Sequence, residues 1–219
     1  MSGSIIGTFF ATFAPMILTG ALVMILLRSR LLAGLGKPID GGALFADGRP
    51  FFGEAKTWRG LLFYIAGGAA CGGLWYGLCR LIPAVYMRNL FFTGVYVRHL
   101  EGEGFIGVID ITDLVVSPGF GITIGLLLGF TYAVFELPNS FLKRRFRVEA
   151  SGSAAKPLPR AVFFLLDQTD SVLGCLLLLK LFYPGLNLPQ FLVFLLLGAC
   201  THILVNLILF SLKVRKRAV

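Results

Sequence analysis

Residues 161–182 read AVFFLLDQTDSVLGCLLLLKLF. Thirteen of them are Leu, Phe or Val, and the stretch has the length, roughly 20 residues, that a helix needs to cross a bilayer. Asp167 and Asp170 interrupt it. Each Asp costs about 2.5–3.5 kcal/mol at a helix centre and each large apolar residue returns about 0.3–0.6 kcal/mol, so the segment inserts by a small margin. A bound cation, a partner or water must offset the two acids. Asp167 stands some ~10 Å along the helix from its basic end at 1.5 Å per residue, shallow enough for a water-filled cavity.

The rest of the chain is of the same kind. Of 219 residues 57% are apolar and 14% charged, and the mean hydropathy is +0.84, which excludes an ordinary soluble domain. Five spans are expected, near residues 5–27, 60–82, 120–137, 161–182 and 188–212. The expected fold is therefore all-α, a polytopic membrane bundle of about five helices with two cytosolic loops, forming one domain over residues 1–219. The first span lacks a charged leader and a small-residue cleavage site and reads as a mature helix.

Lys and Arg set the orientation. Residues 28–59 hold six, 143–160 six and 213–219 four, against three in 80–118 and one in 180–190. This bias places the former segments and the C-terminus in the cytosol and the N-terminus outside. The net charge of +9 is mostly that bias, with contact to anionic membrane lipid, and is no argument for nucleic acid. Cys71, Cys79, Cys175 and Cys200 lie within spans without metal-site spacing and read as packing residues. His202 falls in the last span near Asn206, with an interhelical hydrogen bond as its expected role. Residues 83–118 are expected to form a partly ordered outer lid, ending where Ser117 caps the next helix and Pro118 enters its first turn.

Chemistry gathers in the two basic loops. The first runs through Gly36, Asp40-Gly41-Gly42, Asp47-Gly48 and Gly53 to Lys56-Thr57-Trp58-Arg59. Its glycines would let backbone N–H groups approach an anion, and Lys56, Thr57 and Arg59 sit at a helix N-terminus, a plausible phosphate cradle. A solvated turn with Trp58 as an interfacial anchor is the alternative. In the second region Glu136, Asn139, Ser140, Lys143 and Arg144 fall at i, i+3, i+4, i+7 and i+8, one helical face running from an acid to two cations. Asp167 and Asp170, at i and i+3, share a face of the next span. They would hold Mg²⁺, or pair with a loop arginine.

Ser140-Phe-Leu-Lys143-Arg144, a short loop and Asp167-Gln-Thr-Asp170 resemble the signature of CTP-dependent phosphatidate cytidylyltransferases. The stretches at 37–42, 52–60, 138–145 and 166–170 resemble more narrowly its archaeal branch, the CDP-archaeol synthases. The His-Gly-Gly and the Arg of the bacterial and eukaryotic D-R-x-D pattern are absent. The resemblance implies transfer of the cytidylyl group of CTP to an isoprenoid lipid phosphate, 2,3-bis-O-geranylgeranylglycerol 1-phosphate, with Mg²⁺. It assigns Asp167, Asp170 and Lys143 to catalysis. Asp167 and Asp170, with Glu136 as a third ligand, would take the metal. Lys56, Arg59, Lys143 and Arg144 would take phosphates, and Thr57, Asn139 and Ser140 would orient the nucleotide. The alternatives are a transporter of an anionic phosphorylated solute or another CTP-dependent lipid-modifying enzyme. A transporter would ordinarily show paired repeats and a midplane site.

Overall fold

A computed structural model describes residues 4–93, 117–148 and 157–214. Among these the structure is all-helical apart from two isolated bridges in the loop before the second long helix. The long helices are α1 (Ile5–Leu26), α2 (Trp58–Leu81), α4 (Pro118–Arg145), α5 (Pro157–Phe182) and α6 (Leu188–Ser211), with a single-turn helix α3 (Pro83–Tyr86) after α2. All five long helices are apolar and long enough to cross a membrane.

Local sequence explains the boundaries. Ser117 Oγ accepts from the Phe120 N–H at 3.3 Å and Pro118 occupies the first turn of α4, as expected. Thr57 caps α2 by accepting from the Gly60 N–H at 3.2 Å. Pro138 does not end α4, which continues to Arg145 and so carries the whole stripe from Glu136 to Arg144 on one helix. In α1, Pro15 has no N–H to offer the Ala11 carbonyl. Trp75 Nε1 and Asn89 Nδ2 each donate to that carbonyl at 2.9 Å, so the break in the ladder becomes a tie to α2 and to the segment after α3.

That segment folds back over the end of the bundle remote from the basic loops. Phe91 packs edge-on against Phe13 and Phe182, Phe92 packs among Tyr76, Tyr86 and Phe120, and both are buried. The start of the expected lid is thus a packed aromatic plug; its remainder, residues 94–116, lies outside the described residues.

The tightest helix pair is α2 with α4. A Cβ on Gly68 would stand 2.3 Å from the Gly125 carbonyl oxygen, one on Gly72 2.3 Å from that of Gly121, and one on Gly129 2.0 Å from that of Tyr64. Backbone touches backbone, as small residues permit between membrane helices. α5 packs on α4 and α6 on α5, leaving α1 facing α6 across a cavity. Cys71, Cys79 and Cys175 are buried, Cys200 faces outward, and none is paired. The basic segments meet at one end: Arg28 donates to the Lys213 carbonyl at 2.6 Å, and Arg49 to the carbonyls of Arg144 and Arg145 at 3.2 and 2.9 Å.

Candidate active site at the basic end of the bundle

A cavity of about 870 Å³ opens among α1, α2, α4, α5 and α6. Lys56, Thr57, Glu136, Asn139, Ser140, Lys143, Arg144, Asp167 and Asp170 line one part of it. Phe9, Phe13, Met16, Ile17, Val172 and Cys175 line another. One space therefore joins a charged mouth to an apolar groove.

The helical stripe of α4 faces the two acids of α5. Asn139 Nδ2 donates to Asp167 Oδ1 at 2.7 Å and to Asp170 Oδ2 at 2.8 Å, so oxygens of both carboxylates converge on one point. Lys143 Nζ bonds both Asp167 oxygens at 2.5 Å. Glu136 is ion-paired with Lys56, and Ser171 Oγ lies 3.3 Å from Glu136 Oε1 and 3.1 Å from Asp170 Oδ1. Two cationic and three anionic side chains thus interleave where the helices would otherwise carry unpaired charge in the bilayer. Asn139, 6% exposed, keeps an Oδ1 with no hydrogen-bond partner among the described residues, as does Gln168 Oε1 at 5% exposure. Ser140 back-bonds to the Glu136 carbonyl at 2.9 Å, holding the α4 turn that presents Asn139.

Nine of the ten expected residues line this cavity. The tenth, Arg59, does not: its guanidinium donates to the carbonyls of Leu26, Leu27, Ser29 and Leu31 at 2.7–3.2 Å and closes the C-terminal end of α1. The expectation for Arg59 is a phosphate contact; in this structure the guanidinium serves carbonyls instead, because a helix C-terminus offers several orphan carbonyls and a guanidinium several donors. Glu136, expected as a third metal ligand, lines the cavity beside the two acids. Its carboxylate is engaged by Lys56, and among the described residues no three acidic, His or Cys side chains are placed to share one ion.

The glycine-rich loop is a folded element whose donors serve its own anion. Asp40 accepts from the N–H groups of Gly42, Phe52 and Gly53 at 3.0, 2.8 and 3.2 Å. Burial alone would raise the Asp40 pKa, but these bonds outweigh it and hold the carboxyl below its ordinary value. Arg145 stacks over Phe45 and Phe141, 4.9 Å from each ring, and pairs with Asp47, fastening the loop to the end of α4. Gly53 has φ +86° and lies against Arg144, whose Nε is buried and unpartnered among the described residues. A side chain at Gly53 would be strained and would press on that guanidinium.

Gln168, Tyr64 and Tyr132 also line this cavity although the sequence did not single them out, and Ser171, which continues the helical face of Asp167 and Asp170, bonds Glu136 and Asp170. Gln168 stands beside the two acids on α5 and was within reach of the same helical argument. The tyrosines, stacked with centroids 4.8 Å apart, carried no signal, since aromatic residues in a membrane helix read as packing.

Comparison with known proteins gives one coherent result. The chain matches the CarS-like family model, described as CDP-archaeol synthase, over residues 16–106 and 92–218. It is 38% identical over 120 residues to the CDP-archaeol synthase of Thermococcus onnurineus, covering 51% of this chain and 69% of that protein. It is 30% identical to that of Methanospirillum hungatei, covering 84% of this chain and 91% of that one. Its identity to that of Methanosphaerula palustris is 32%, covering 84% and 90%. No solved structure matches.

Proposed function

This chain belongs to the CDP-archaeol synthase family, and we propose that it transfers the cytidylyl group of CTP to 2,3-bis-O-geranylgeranylglycerol 1-phosphate at the basic, cytosol-facing end of the bundle. A phosphate oxygen of the lipid forms a bond to the α-phosphorus of CTP. The bond from that phosphorus to the bridging oxygen of the β-phosphate breaks, and its electron pair leaves with pyrophosphate. The lipid phosphate is mostly dianionic at neutral pH, its second pKa being about 6, so no strong base is required. The protein supplies position and charge.

The observation that carries this reading is the convergence of the Asp167 and Asp170 carboxylates on one point, ringed by Lys143, Lys56 and Arg144, in a cavity that continues into an apolar groove. Lys143, Lys56 and Arg144 would bind the triphosphate, with Thr57 and Ser140 orienting it, and the groove would take the isoprenoid chains. The donor set fits Mg²⁺. Two carboxylates are a usual protein contribution when phosphates and waters complete the shell, and the orphaned Asn139 Oδ1 is an acceptor for such a water. Asp167 and Asp170 would hold the ion, which when bound neutralises charge on the triphosphate and the departing pyrophosphate. Lys143 would then leave Asp167 for a phosphate oxygen, and Lys56 would leave Glu136 in the same way.

The test is pyrophosphate release by the purified full chain. Release is expected only when CTP, the lipid phosphate and Mg²⁺ are all present. Asp167→Asn and Asp170→Asn should each lower turnover by about two orders of magnitude or more while the protein still inserts, because removing a charge from a membrane span eases insertion. Near-normal turnover of either variant at saturating Mg²⁺ would refute the metal role.

A further inference from the structure

α6 has the highest mean hydropathy of the five spans, 2.4, yet between its terminal turns it carries Thr201, His202 and Asn206. All three line the cavity, together with Gly198, Val205 and Leu209. Positions 198, 201, 202, 205, 206 and 209 repeat at i, i+3, i+4, i+7, i+8 and i+11, a single face. Asn206 is 5% exposed and its side chain makes no hydrogen bond among the described residues, so a tie between helices does not account for it. Nothing in the handling of CTP calls on this helix.

Depth and neighbours say what the stripe is for. His202 stands nine residues, about 13 Å at 1.5 Å per residue, from the Ser211 end of α6, and Asp170 thirteen residues, about 20 Å, from the Pro157 end of α5, so both lie well inside the bundle from its basic end. Tyr132 places its ring 6.4 Å from that of His202 and 4.8 Å from that of Tyr64, and both tyrosines line the cavity. Tyr132 is one helical turn before Glu136. Phenol, imidazole, carboxamide and hydroxyl groups from three helices thus line the same cavity as the carboxylates and as Phe13, Met16 and Val172. Alkyl chains have no use for such groups. A phosphate ester bearing two ether oxygens has use for all of them.

We propose that Thr201, His202 and Asn206, with Tyr64 and Tyr132, form the seat of the phosphoglycerol headgroup of the lipid substrate. The headgroup is held on the membrane side of the Asp167–Asp170 pair, opposite the cations that take the triphosphate. This rests on the cytidylyl-transfer reading. The nucleophile then approaches from the membrane side and pyrophosphate departs toward the basic loops, the in-line arrangement that phosphoryl chemistry needs.

Steady-state kinetics of the full chain in lipid–detergent micelles test it, with CTP and 2,3-bis-O-geranylgeranylglycerol 1-phosphate varied in turn. His202→Leu, Asn206→Leu and Tyr132→Phe should each raise KM for the lipid phosphate by about tenfold or more, the loss of a hydrogen bond to a charged group, while KM for CTP stays within about twofold. His202→Gln, which keeps a donor, should recover most of the loss. Unchanged lipid KM in all three variants would overturn the proposal. So would both KM values rising together with a falling Tm, which marks a packing role. Should the leucine variants fail to purify, Tyr132→Phe and Thr201→Val decide the matter in the same way, since each removes one hydroxyl and keeps the shape. A wild-type chain that releases no pyrophosphate from CTP and the lipid phosphate would refute the reaction itself, a distinct outcome.

Discussion

Lys56 and Arg59 are three residues apart and end in different parts of the molecule. Lys56 points into the cavity, where it pairs with Glu136; Arg59 turns to the carbonyls at the end of α1. The two alanine variants should therefore separate. Lys56→Ala should reduce kcat/KM for CTP by roughly ten- to a hundredfold, the range for a hydrogen bond to a charged group. Arg59→Ala should leave KM for CTP within about twofold and lower the Tm, because four carbonyl contacts go unmet at once. Arg59→Lys should not restore the Tm, since a single ammonium cannot match the spread of a guanidinium. CTP kinetics and thermal unfolding in detergent check both variants, and equal kinetic losses at the two positions would return Arg59 to the nucleotide.

Among the elements, α2 and α4 form the frame on which the α4 stripe is hung. Their approach depends on glycine at the crossing: a Cβ on Gly125 would stand 2.0 Å from the Gly68 carbonyl oxygen and 2.9 Å from the Gly72 Cα. Neither neighbour can rotate away, because both are backbone. Gly125→Ala should cost stability at the upper end of the about 1–3 kcal/mol typical of overpacking, or more, and should lower activity by shifting Asn139 and Lys143 relative to α5. Gly77, on α2 with nothing within 4 Å of an added Cβ, is the control. Gly77→Ala should be neutral or stabilising by about 0.5–1 kcal/mol. Thermal unfolding of the two variants in one detergent measures the contrast, and equal behaviour would show that the crossing is not held by backbone contact.

For the whole molecule, two basic loops and a chain end gather at one end, and an aromatic plug of Phe9, Phe13, Phe91 and Phe194 fills the other. A cavity closed in this way suits an enzyme whose soluble substrate and lipid substrate enter from different sides. With the positive end in the cytosol, a membrane-impermeant thiol reagent applied to intact cells should label Gly185→Cys and spare Leu44→Cys, both in a Cys200→Ser background. Leu44 is 61% exposed, so its protection would reflect the bilayer and not burial. Labelling of Leu44→Cys from outside would invert the orientation and remove the site from the CTP pool.

The number of spans, the capped start of α4 at Ser117 and the shared face of Glu136, Asn139, Ser140, Lys143 and Arg144 were legible in the sequence, because each follows from period, cap or hydropathy within one helix. So was the pairing of Asp167 with Asp170 on one side of α5. The fate of Arg59 was not legible: nothing nearby in sequence marks the end of α1 as its partner, some 30 residues earlier. The same holds for Asp40, whose carboxylate takes the loop N–H groups expected to face a phosphate, since the choice depends on how the chain closes between residues 40 and 53. Tyr64, Tyr132 and His202 read as isolated polar or aromatic residues on three apolar helices. Only the packing of those helices around one cavity made them neighbours, because hydropathy and helical period fix which face of a helix is polar but not which helix that face will meet.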